Sequence, residues 1–119
     1  MNELAKHIDK KKRQYCINFL ERFSRKLFKM FRDENTTKDK FVSSFVRFKK
    51  KLDPYSDVAL YSPYHRKLRD FVQELEKKIK SDFDFDVLRS PSMTQLNRLQ
   101  KLKNATIYKK DKYKNTDID

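Results

Sequence analysis

The sequence predicts an all-α fold, a small bundle of about four helices led by a long basic amphipathic N-terminal helix. Three observations carry that prediction. The 119 residues contain no glycine, the residue that most readily supplies the positive φ of tight hairpin turns, so β-hairpins are disfavoured. Apolar residues recur at three- and four-residue intervals through most of the chain, the period of a helix with one buried face. Serine or threonine stands at the joints between these stretches, twice with proline next to it, as helix N-termini require.

The first helix is expected over 3–33. Ile8, Cys16, Phe19, Leu20, Phe23, Leu27, Met30 and Phe31 share one arc of a 3.6-residue helix, and Lys11, Arg22, Arg25, Lys29 and Arg32 share the opposite one, with Asn18 between them. Lys12 falls within the apolar arc and marks a place for a kink. Thr36 or Thr37 caps a second helix over 37–52, with Asp39 in its first turn. Its apolar face is Phe41, Val42, Phe45, Val46, Phe48 and Leu52. Asp53-Pro54 ends that helix, and 54–62 is expected to carry Val58, Leu60 and Tyr61 into the core. Ser62-Pro63 opens a third helix to about residue 81, with Tyr64, Leu68, Phe71, Val72, Leu75 and Ile79 inward. Asp82-Phe83-Asp84-Phe85-Asp86 reads as an aromatic-anchored turn. Ser90-Pro91 repeats the cap-plus-proline signal and opens a fourth helix over about 91–110, with Met93, Leu96, Leu99 and Ile107 inward. One helical domain over 1–111 and a frayed tail over 112–119 follow.

Thirty Lys plus Arg against seventeen Asp plus Glu give a net charge of +13, beyond the magnitude of about 2–8 that keeps a small domain soluble. An excess of that size repels itself in the folded state and suits an anionic partner. It is unevenly shared: residues 1–33 hold ten basic and four acidic groups, whereas 54–89 balance seven against seven. The third helix therefore reads as a neutral structural spine.

These charges select the function class. No glycine means no P-loop and no dinucleotide fingerprint. His7 and His65 are far apart, no nucleophile–base set assembles, and no catalytic role, cofactor or metal is implied; His65 reads as a surface residue. An EF-hand is excluded at 82–86 by the missing loop pattern. Cys16, the single cysteine, reads as a small core hydrophobe. The expected function is non-catalytic nucleic-acid binding, to DNA or RNA, through phosphate contacts from Lys11, Arg22, Arg25, Lys29, Arg32, Arg98, Lys101 and Lys109. Tyr108 and Tyr113, interleaved with lysines, offer stacking to unpaired bases. No zinc-finger, RNA-recognition or KH signature is present, so little sequence specificity is expected.

An acidic protein partner met by an adaptor or assembly subunit, with homo-oligomers through wide aromatic faces, is the alternative. Peripheral association with an anionic membrane suits Phe19, Phe23, Phe28 and Phe31 with their flanking cations, but the other helices also need that face, so no membrane role is expected. With no apolar run long enough for a span and no visible signal peptide, the protein is expected to be intracellular. Ser90 also fits a proline-directed kinase site, although its cap role suffices. The bias of Lys over Arg, 21 to 9, with abundant Phe, Asn and Asp, suggests an AT-rich coding genome such as that of a virus, mobile element or small-genome microbe.

Overall fold

Four helices, α1 (Glu3–Arg32), α2 (Lys38–Leu52), α3 (Pro63–Ile79) and α4 (Phe85–Lys103), with one 3-10 turn at Asp53–Tyr55, make up a helical bundle in this computed structural model. It describes residues 3–104, and no strand occurs among them. The expected positions Ile107, Tyr108, Lys109 and Tyr113, and the tail 112–119, lie outside the described residues.

At 1.5 Å per residue the 30 residues of α1 extend about 45 Å, nearly the whole 48 Å long axis of the molecule. α1 packs against α2, α3 and α4 alike, so it is the spine, and the neutral α3 is not. Charge balance marks how a helix meets water, whereas the spine is chosen by the width of the apolar arc. That arc holds Cys16, Leu20, Phe23, Leu27, Met30 and Phe31 as expected, and also Ile17. Helices of 15, 17 and 19 residues cannot cover all of α1. Its first turns therefore stand clear of the bundle, and Ile8, expected inside, is 45% exposed. The helix runs unbroken through Lys12; an uncovered turn can carry lysine at any angle, so no kink is required.

The caps of α2 and α3 are as the sequence predicts. Thr37 accepts from the backbone N–H of Lys40 at 3.2 Å, and Ser62 accepts from that of Tyr64 at 3.1 Å with Pro63 in the first turn. Val46 is 50% exposed rather than inward, because α2 meets α1 through Phe41, Phe45 and Leu52 with Phe48 half-buried. Phe45 and Phe48 stand 5.1 and 5.2 Å from Phe23, ring centre to ring centre.

The connection 53–62 buries Val58 and Leu60, whereas Tyr61 stays largely exposed. Without regular structure its carbonyls need other donors, and two arginines provide them. Buried Arg13 donates through Nε to the Ala59 carbonyl at 2.9 Å, to Asp9 at 2.7 Å and to the Tyr61 hydroxyl at 3.2 Å, with its guanidinium 4.7 Å over the Tyr61 ring. Arg69 donates to the Val58 carbonyl at 2.8 Å.

α4 begins six residues before the Ser90-Pro91 signal. Asp84 is its N-cap, accepting from Asp86 N–H at 3.0 Å and Val87 N–H at 3.4 Å, and Pro91 lies inside the helix. The earlier start buries Phe85 against Phe41 at 4.7 Å and Phe31 at 5.9 Å. It also aims the Arg89 guanidinium at the last carbonyls of α1. Arg89 donates to Phe31 O at 2.9 Å, Asp33 O at 2.8 Å and Thr36 O at 2.8 Å. Proline inside a helix costs about 3 kcal/mol. Here the carbonyl it leaves unbonded is that of Val87, a 71% exposed residue, where water can reach it. Replacing Asp84 by alanine is expected to lower stability by about 1 kcal/mol in a denaturant titration. Ser90→Ala should change it by less than about 0.5 kcal/mol; the reverse ranking would restore the Ser90 cap.

His65 is a core residue, not a surface one. It is fully buried, with Nε2 3.0 Å from an Oε of buried Glu21, tying α3 to α1. Cys16 is buried as expected.

Candidate nucleic-acid interface

α4 runs antiparallel to α1, because Arg89 meets the C-terminal end of α1 and Leu96 and Gln100 lie level with Phe28 and Ser24. The two helices thus present one joint face. Residues 22–32 of α1 and 87–104 of α4 contain no aspartate or glutamate, so the face they form has no built-in counter-charge along most of its length.

On this face Arg22, Arg25, Lys29 and Arg32 are all exposed, as are Lys11 nearer the N-terminus and Arg98 and Lys101 on α4. Arg22 and Arg32 stand about 15 Å apart along the axis, with Arg25, Lys26 and Lys29 between. Among the described residues none of the seven predicted cations has a carboxylate within 4 Å. Cations elsewhere do: Lys38 pairs with Asp82 at 3.6 Å, Lys49 with Asp53 and with Glu76 at 3.6 Å, Lys77 with Glu74 at 3.3 Å, and Arg89 with Asp86 at 2.9 Å. Unpaired guanidinium and ammonium groups on one rigid rod are available to neutralise phosphates, and such a row raises the local concentration of a polyanion.

The seven do not form one patch. Arg25, Lys29 and Arg32 border a groove of about 450 Å³ between α1 and α4, whose other lining residues are Ser24, Phe28, Leu96, Asn97 and Gln100. Arg22 turns to the other flank, its guanidinium 5.9 Å from the centre of the Phe19 ring. Lys11 lies on the uncovered part of α1, and Arg98 and Lys101 are exposed on α4 without lining the groove. Lys109, Tyr108 and Tyr113 are beyond the described residues.

Phe28, Asn97 and Gln100 are groove residues that charge patterning did not single out. Phe28 is half-buried, and Arg32 holds its guanidinium 5.9 Å from the ring centre. The amides of Asn97 and Gln100 are exposed, with no hydrogen-bond partner among the described residues. Their i, i+3 spacing and the acid-free composition of 87–104 were visible signals; that they face Phe28 required the packing of α4 on α1.

A second recess of about 500 Å³, between the α1–α2 connection and the start of α4, is lined by Glu34, Asp84 and Asp86 among others. Its carboxylates oppose an anionic ligand. The acids at 82–86 have local partners: Asp84 caps α4, Asp86 meets Arg89, and Asp82 meets Lys38, whose ammonium lies 4.5 Å over Phe83. Among the described residues no three His, Cys, Asp or Glu side chains are grouped to hold a metal ion, and no helix is long and apolar enough to cross a membrane. A scan against protein-family models found no match, and searches of curated proteins and of solved structures found none.

Proposed function

We propose that this chain binds nucleic acid without catalysis, through phosphate contacts from the α1–α4 face and with little sequence specificity. The observation that carries this reading is the exposed set Arg22, Arg25, Lys29 and Arg32, free of carboxylates within ion-pair distance, on a face whose two helices have no acid over 22–32 and 87–104. A salt-bridged set would signal a structural role, as at Arg89 and Lys49. Leaving a row of cations unpaired destabilises the monomer by self-repulsion and favours a bound polyanion.

Affinity in this mechanism comes from released counterions. Log K is expected to fall by about 0.7–0.9 per phosphate neutralised for every tenfold rise in salt. Four α1 cations give a slope of about 3 on that basis. Fluorescence anisotropy with a labelled oligonucleotide across a salt series measures it. A flat response, or no binding of DNA or RNA near physiological ionic strength, would reject the reading. Equal affinity for polyglutamate would instead favour an acidic protein partner.

A further inference from the structure

We infer that the α1–α4 groove receives an unpaired base, so that the protein prefers single-stranded nucleic acid to duplex; the inference rests on the phosphate-binding reading above. The groove divides its chemistry as a nucleotide does. Its floor is apolar, from Phe28 and Leu96, its rim is cationic, from Arg25, Lys29 and Arg32, and its far wall carries the amides of Asn97 and Gln100.

Each part answers one part of a strand. A half-buried phenylalanine, held on one side by the core, leaves ring surface on which a flat base can stack, and stacking is tolerant of base identity. Arg32, 5.9 Å from the Phe28 ring centre, keeps positive charge beside that ring, where the phosphate flanking a stacked base lies. Primary amides both donate and accept, which matches the mixed edge of a base that has lost its pairing partner. A duplex uses neither floor nor amides, because its bases are already stacked and paired, and a space of about 450 Å³ admits a flat ring rather than a double helix. An acidic peptide would meet the rim but leave the apolar floor and the amides unused.

The test uses the full chain and three labelled probes of about ten residues, within the usual site sizes: an oligothymidylate, an abasic strand with the same phosphates, and a duplex. Polyglutamate serves as competitor. The unaltered protein should bind the oligothymidylate about tenfold more tightly than the abasic strand, the low end of one base's stacking contribution, and more tightly than the duplex. Phe28→Leu keeps an apolar side chain in the core but removes the flat ring. Asn97→Ala with Gln100→Ala changes only exposed groups. Both variants should narrow the tenfold ratio to about twofold while leaving the abasic affinity unchanged. Equal binding of oligothymidylate and abasic strand by the unaltered protein overturns the base pocket and leaves the basic face standing, as does an undiminished ratio in both variants. Binding of none of the three probes removes both, and polyglutamate displacing the oligothymidylate at equal charge concentration overturns the choice of partner.

Discussion

Reversing Arg22, Arg25 and Lys29 together to glutamate is expected to reduce nucleic-acid affinity by at least about a hundredfold and to lower the salt slope by about 2–3. The three side chains are exposed, so no core contact is lost, and helicity by circular dichroism should stay at the level of the unaltered protein. The effect is large because the change is a reversal. Three sites that attract phosphate become three that repel it, on a face with no other acid over 22–32. The comparison variant is Arg66→Glu with Lys67→Glu on α3, two exposed cations on a helix that also holds Asp70, Glu74 and Glu76. It should alter affinity only through long-range charge, by about threefold at moderate salt. Equal losses from both variants would mean that net charge, not the α1–α4 face, governs binding.

The largest single effect on stability is expected at the buried pair Glu21 and His65. Both side chains are withdrawn from water, with 3.0 Å between Oε and Nε2. Removing either partner takes a hydrogen bond from a polar group that has lost its hydration. His65→Ala or Glu21→Ala should therefore reduce unfolding free energy by about 3 kcal/mol. That is a large share of the roughly 5–15 kcal/mol typical of a domain. Denaturant unfolding followed by circular dichroism measures it. Replacing both at once, Glu21→Leu with His65→Phe, removes the need for the bond and should recover most of the loss, because an apolar pair of similar volume avoids the desolvation. A double variant as unstable as the sum of the single ones would show that the pair also organises its neighbours.

Much of the fold was legible because its determinants are local. The caps Thr37 and Ser62 act within three residues, and the periodicity that buries Leu20, Phe23, Leu27, Leu68 and Leu75 acts within four. The start of the last helix was not legible. Asp84 and Ser90 are both acceptable caps, and Ser90 has the stronger signal because proline follows it. What separates them is the burial of Phe85 between Phe31 and Phe41 and the reach of Arg89 to the end of α1, contacts across more than forty residues of chain. His65 was misread for a related reason: its partner Glu21 lies 44 residues away, and an isolated histidine at the start of a helix looks solvated.

The same division holds for the candidate site. A cationic arc on the first helix follows from residue spacing, since 3.6 residues per turn fixes which side chains share a side. Which cations are left free does not, because an arginine in sequence carries no mark of its through-space neighbours. Arg13, Arg69 and Arg89 count toward the same net charge as Arg25 and Arg32, yet the first three hold carbonyls of the connections and helix ends. By itself, then, the sequence determined the helical class and the angular segregation of charge from apolar surface, both products of short-range geometry. Tertiary packing alone decided how much of α1 is covered, which basic groups face water unpaired, and that Phe28 meets Asn97 and Gln100 across a groove, because each depends on a partner helix brought near by burial of apolar area.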